Sequence, residues 1–323
     1  MSVIEAPVRI DPNPHRKLHV LIAAAQKHAP AKTAVAHPCD SSSLEGVMEA
    51  ARLGLIDPIL VGPESRIRAV ALEAKLDLGQ TEIVDAEHSH DAAAKAVALV
   101  REGRAEVLMK GSLHTDEIMG AVVARETGLR TSRRISHCFV MDVPGHDQPL
   151  IITDAAVNIA PDLKVKVDII QNAIDLAHAL GQDEVRVAIL SAMETVNPDV
   201  PSTLEAAALC KMADRGQITG AILDGPLALD NAISAEAAKI KKIGSPVAGR
   251  ANILVVPDLE AGNMLAKSLS FLADADAAGI VLGAKVPIVL TSRADEETAK
   301  LASCAVAQLL VAARRSNASS AIQ

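Results

Sequence analysis

The residues best suited to chemistry sit where apolar runs give way to polar turns. The plainest case is Val289-Leu290-Thr291-Ser292-Arg293-Ala294-Asp295. A strand-like run ends, and two hydroxyls, a guanidinium and a carboxylate follow at the start of a predicted helix. Ser292 could hydrogen-bond a ligand, and Arg293 could grip a phosphate through two parallel hydrogen bonds. A helix N-terminus adds backbone N–H donors and partial positive charge. The bland alternative is a plain helix start, with a hydroxyl cap and Asp295 favouring the dipole.

Lys110-Gly111-Ser112-Leu113-His114-Thr115-Asp116 has the same design. Lys110 is a cation at a strand end, Gly111 permits close approach of backbone to an anion, and His114 could bond a phosphate or a carbonyl. The competing reading is a Gly turn with Thr115 as cap and His114 in solvent. The third stretch runs from Asp224-Gly225-Pro226-Leu227 to Gly244-Ser245-Pro246-Val247-Ala248-Gly249. A strand is expected to end at Asp224, and turn residues recur for over twenty positions. Compact domains rarely keep such segments without a use. Further on, Pro257–Asn263 repeats the strand-to-helix turn, and Asn263 falls in the first turns of the helix.

Other signals are weak. There is no GxxxxGK[ST] phosphate loop, no GxGxxG dinucleotide turn and no GxSxG elbow. His88-Ser89-His90 lacks the clustered partners of a metal site. Cys39, between a strand and a helix, could carry an acidified thiol, but a passive small residue suits it better.

Short apolar runs and longer amphipathic runs alternate along the chain, which predicts right-handed βαβ units on a parallel sheet. Strands are expected at Thr33–Ala36, Ile59–Gly62, Ile83-Val84 and Val107–Met109. A helix after the first opens on a capping box at Ser42–Glu45. The alternation breaks at 135–154, where Pro144-Gly145-His146-Asp147 joins two strand-like runs as a hairpin. It resumes with helix 162–180, strand 185–190, helix 201–213, strand 219–223, a helix near 231–240, strand 252–256 and helix 260–272. Strands 278–282 and 286–290 leave no room for a helix between them. A last helix is expected from about Asp295 to Arg314, between a mobile first dozen residues and a frayed tail after Arg315.

Composition narrows the class. Hydrophobic residues make up 50% and charged residues 22% of 323, enough for a large core, and the length suggests about two domains or one split domain with an insertion. There is no Trp or Tyr, and Phe139 and Phe271 are the only aromatics. Base stacking is nearly unavailable, and a net charge of −8 disfavours a nucleic-acid backbone. No apolar run reaches the ~18–20 residues of a membrane span. Cys39, Cys138, Cys210 and Cys304 form no CxxC pair and suit reduced, buried thiols, so a cytoplasmic location is expected.

The run DGPLALDNAISAEAAKIKKIGSPVAGRANILVVPDLEAGNMLAKSL, with GIVLGAKVPIVLTSRAD after it, resembles the phosphate acetyltransferase and phosphate butyryltransferase family. VLMKGSLHT and LIITDAAVNIAPDLKVK resemble it too, especially its butyryl branch. The resemblance implies two α/β domains with a cleft between them, similar to the isocitrate and isopropylmalate dehydrogenases. One would comprise residues 1–148 plus 284–323, and the other 149–283. It implies acyl transfer between coenzyme A and inorganic phosphate, with coenzyme A, acyl-CoA and acyl phosphate as substrates. No permanently bound cofactor, no metal, no nucleic acid and no membrane are implied, and a homodimer or larger homo-oligomer is.

By the same resemblance Ser292 donates to the oxyanion, Arg293 binds phosphate and Asp295 is the nearest candidate base. Lys110, Ser112, His114, Thr115, Asp224, Gly225, Pro226, Ser245, Asn263 and Thr291 complete the candidate substrate contacts. Two departures stand out. The acetyl branch carries an aspartate seven positions after its serine, where this chain has Ala299, and Glu296 and Glu297 are alternatives. It also carries an arginine in the helix after the HT turn, where this chain has Gly120; Arg130, Arg133 or Arg134 could substitute. These losses leave room for another acyl substrate or for a non-catalytic acyl-CoA- or phosphate-binding role, and more remotely for an NAD(P)-dependent decarboxylating dehydrogenase.

Overall fold

The computed structural model describes residues 15–290 and 296–320, the last three without their side chains. The expected N-terminal arm and the segment Thr291–Asp295 lie outside the described residues. Helix and strand alternate at first: α1 (Arg16–Ala25), β1 (Ala31–Ala36), α2 (Ser41–Arg52), β2 (Ile56–Gly62), α3 (Glu64–Glu73), β3 (Glu82–Asp85), α4 (Ser89–Arg101), β4 (Val107–Lys110) and α5 (Thr115–Val123). Then β5 (Ser136–Asp142) and β6 (Leu150–Thr153) pair as the expected hairpin. Alternation resumes with α6 (Leu163–Ala179), β7 (Arg186–Leu190), α7 (Pro201–Asp214), β8 (Ile222–Leu227), α8 (Leu229–Ile233), α9 (Ala235–Ile240), β9 (Ile253–Val255) and α10 (Leu259–Leu272). The chain closes with β10 (Asp276–Leu282), β11 (Ile288–Val289) and α11 (Glu297–Ser320).

The described strands form one sheet in the order β3-β2-β1-β4-β11-β10-β5-β6-β9-β7-β8. Its pairs are parallel except β5–β6, β5–β10 and β10–β11, so the antiparallel strands occupy the middle. The two faces differ. On one, a single core continues across the sheet, from Leu60 and Val35 through Val289, Ile280 and Val140 to Ile253 and Val187. Helices α1, α2, α6, α7 and α11 cover it with Leu18, Val47, Ile170, Leu209 and Val306.

The opposite face carries two cores. One joins Ala34, Leu108 and Ile288 to Ala96 of α4 and Ile118 of α5. The other joins Ile152, Leu254 and Ala188 to Ala232 of α8 and Ala238 of α9. Between them this face is open.

Four elements depart from the sequence reading. β8 does not end at Asp224 but runs through Gly225-Pro226 to Leu227. It is the edge strand, where a missing N–H need not break a ladder, and a register shift opposite Ala188 and Leu190 absorbs the irregularity. The helix expected near 231–240 divides at Ser234, whose side chain accepts from the Ala237 N–H and starts α9. Helix α2 is capped by Asp40, which accepts from the Ser43 N–H at 2.8 Å, two residues before the expected capping-box start at Ser42. The expected frayed tail is helical to Ser320. Glu106 helps fasten this end by pairing with Arg315.

Candidate active site

The open part of the face holds a cavity of about 1130 Å³. One wall is α5, through Thr115, Met119, Gly120 and Val123. The facing wall comes from Ala156 and Val157 after β6 and from Phe271 at the end of α10. Strands β5 and β10 make the floor, with His137 and Phe139 beside Ala277 and Gly279. Strand alternation explains this set: Gly279 pairs with Phe139, and Val281 with His137. Leu290 and Glu296 also line the cavity, the two described residues that flank Thr291–Asp295. Ala299 and Ser303 of α11 lie there as well.

The polar loop after β4 is built tightly. The Gly111 N–H donates to the Ala36 carbonyl at 2.8 Å, and the Ser112 N–H to the His37 carbonyl at 2.8 Å. A Cβ on Gly111 would sit 2.6 Å from both of those carbonyl oxygens, so only glycine fits. The Ser112 hydroxyl donates to the His37 carbonyl at 2.7 Å and accepts from the Cys39 N–H at 3.2 Å. His37 Nδ1 lies 3.0 Å from the same hydroxyl. Lys110 is buried, and its ammonium donates to the carbonyls of Gly111 and Leu113 at 3.2 Å. The loops after β1 and β4 are thus fastened to each other at the carboxyl ends of adjacent parallel strands, where ligands gather in open α/β sheets.

His114 takes the N-cap position of α5, which the sequence reading gave to Thr115 as the alternative to a ligand role. Its backbone N–H donates to Glu117 Oε2 at 2.7 Å, and its side chain is exposed. Of the candidate substrate contacts, Thr115 lines the cavity. Asn263 comes near it, with Nδ2 donating to the Ala155 carbonyl at 3.4 Å. Asp224, Gly225, Pro226 and Ser245 stand apart. The first three belong to edge strand β8, and the Ser245 hydroxyl accepts from the Val247 and Ala248 N–H groups at 3.0 and 3.1 Å, closing a turn. Thr291, Ser292, Arg293 and Asp295 fall outside the described residues.

Gly120 faces the cavity with nothing within 4 Å of where a Cβ would stand, so the arginine it replaces would have room. Arg130, Arg133 and Arg134 line a neighbouring pocket of about 620 Å³ that shares Val123 and Val157 with the cavity. Arg133 is engaged by Asp175 of α6.

Burial pushes the Cys39 thiol up to about 11 and those of Cys138, Cys210 and Cys304 to about 12, so these four are poor nucleophiles. His88 caps α4, accepting from the Asp91 N–H at 3.1 Å, and His90 lies 3.4 Å from Glu117. The sequence reading gives His137 no role. Its signal was an ionisable residue inside an apolar strand.

Residues 86–308 match the family described as Phosphate acetyl/butaryl transferase. The chain belongs to that family. It is 71% identical over 295 residues to a phosphate acetyltransferase of Rhizobium meliloti, covering 91% of this chain and 93% of that protein. Among solved structures it is similar to a branched-chain phosphotransacylase from Enterococcus faecalis V583, with a TM-score of 0.75 and 30% identity over 87% of this chain and 99% of the other. A 4-hydroxythreonine-4-phosphate dehydrogenase from Klebsiella pneumoniae shares the fold, with a TM-score of 0.53 and 13% identity over 87% of this chain and 99% of that one. The α/β fold is therefore that of the phosphotransacylases, and it is similar to that of 4-hydroxythreonine-4-phosphate dehydrogenase.

Proposed function

We propose that this protein is a phosphate acyltransferase that moves an acetyl group, or a butyryl group, between coenzyme A and inorganic phosphate. The observation that carries the reading is the family match together with a cavity lined by Leu290 and Glu296, the described residues next in sequence to Thr291–Asp295.

The reaction proceeds in one ternary complex. A base, Asp295, takes the proton of the coenzyme A thiol, because the thiolate is the nucleophile. The sulfur attacks the carbonyl carbon of the acyl phosphate and forms a carbon–sulfur bond. Ser292 donates to the oxyanion of the tetrahedral intermediate. The carbon–oxygen bond to phosphate then breaks, and phosphate leaves with the electron pair, held by Arg293. The reverse reaction retraces these steps. Holding both substrates in one cleft supplies much of the rate. Lys110, Ser112, His114, Thr115, Thr291 and Asn263 shape or contact the substrates in this reading, while Asp224, Gly225, Pro226 and Ser245 are contacts that only the resemblance implies.

The division into residues 1–148 plus 284–323 and residues 149–283 belongs to the same reading. It is supported by the two separate cores of the open face, whose members follow this division except Val281 in the first core and Met141 in the second. A homodimer or larger assembly is supported by Phe271 and Leu272, which are 84% and 86% exposed. A reducing compartment such as the cytoplasm suits four free cysteines. No helix among the described residues is long and apolar enough to cross a membrane.

The test measures acyl-CoA formation from C2 to C4 acyl phosphates by the wild type and Arg293→Ala. We expect wild-type turnover and an apparent KM for acyl phosphate raised at least tenfold in the variant. No turnover of any donor by folded wild-type protein contradicts the reading, and an unchanged KM removes Arg293 from the phosphate site.

A further inference from the structure

His137 is an expensive residue in its place. It is 5% exposed within β5, and its Nδ1 is buried without a hydrogen-bond partner. A buried polar group left unpaired costs about 1–3 kcal/mol, so such groups call for an explanation. An apolar side chain of similar size would fill this position more cheaply. Packing does not explain the choice: Phe139 meets the imidazole edge to face at 4.4 Å, which any flat ring would allow.

The ring lies on the cavity floor, and the neighbour on β10 is the smallest available. A Cβ on Gly279 would come 3.1 Å from His137 Nε2. Glycine therefore keeps the Nε2 edge clear, and Gly279 lines the same cavity. Burial pushes the imidazole pKa well below its usual value and outweighs the opposing Asp154 carboxylate, so the ring is neutral at physiological pH. A neutral imidazole carries one N–H. A lone pair without a partner costs less than an N–H without one, which favours the proton on Nε2 and leaves Nδ1 as the orphan acceptor. The floor thus offers one neutral donor among Phe139, Ala277 and Met119. An acyl group has the matching chemistry: one carbonyl oxygen on an apolar chain. Phosphate, a dianion, is better served by a guanidinium.

We infer that His137 is a substrate-binding residue whose Nε2–H holds the carbonyl oxygen of the acyl group, with Gly279 as the small residue that keeps its approach open. This rests on the acyl-transfer reading above. The role is functional rather than architectural, so stability and binding move in opposite directions on substitution.

The experiment compares wild type, His137→Leu, His137→Gln and Gly279→Ala for melting temperature and for KM and kcat with acetyl phosphate, acetyl-CoA and inorganic phosphate. His137→Leu removes the orphan nitrogen and is expected to melt at or above the wild-type temperature. It should raise the KM of both acyl substrates about tenfold, the size of one hydrogen bond, and leave the KM of phosphate within twofold. His137→Gln, which keeps an N–H donor near the Nε2 position, should recover much of that loss. Gly279→Ala should reproduce the KM effect with His137 intact. Wild-type turnover with acyl KM values unchanged in both His137→Leu and Gly279→Ala overturns this inference alone. So does a selective rise in phosphate KM. If folded wild type turns over no donor, the acyl-transfer reading fails and the inference falls with it.

Discussion

The two sides of β5 and β10 differ in what they meet, although neighbouring residues supply both. Cys138, Val140, Ala278 and Ile280 point into the continuous core and are fully buried. One position along, His137, Phe139, Ala277 and Gly279 line the cavity. The closed side is filled with aliphatic groups beneath α11 and α6. The open side has a glycine, an alanine and an unpaired imidazole where large aliphatics would pack best. A strand exposes alternate residues to opposite faces, so one strand pair builds a core and a binding floor at once. The closed face carries stability, and the open face gives up stability for access.

The sharpest way to break this comparison is chemical labelling. The Cys138 thiol, pushed up to about 12 by burial, should be inert toward a thiol reagent at pH 8 in the native protein. Ala277→Cys places a thiol in the cavity, where an ordinary acidity gives about a thousandfold more thiolate. Its modification should be fast and slowed by coenzyme A. Equal rates at the two positions would show that the face is not open.

Substitution on the closed side sharpens the comparison with a smaller effect. Ile280→Ala empties a fully buried site and should cost about 2–5 kcal/mol in denaturant unfolding. KM values for all substrates should remain within twofold. A selective change in KM without loss of stability would mean that Ile280 belongs to the cleft.

Much of this architecture was legible in the residues. Pro144-Gly145-His146-Asp147 marks the β5–β6 hairpin because those residue types stop a helix and turn a chain. The KGSLHT run marks the end of β4 by composition alone. Strand order was not legible, and it decides which turns matter. The Lys110–Thr115 loop and the Asp224–Pro226 run show the same pattern of polar residues after an apolar run. The first follows the inner strand β4 and is fastened to the loop after β1. The second lies within edge strand β8, where a proline is tolerated in the strand itself. His137 went unread for a similar reason: alternation shows that it opposes Cys138, but only the separation of the two cores shows that its side is open.

The central claim is direct transfer within one ternary complex, and initial-rate kinetics test it most directly. Acetyl-CoA formation would be followed by thioester absorbance while acetyl phosphate and coenzyme A are both varied. Lines that intersect in double-reciprocal plots are predicted, because both substrates must occupy the cleft before the thiol attacks. Parallel lines, the pattern of an acylated enzyme intermediate, would contradict the account.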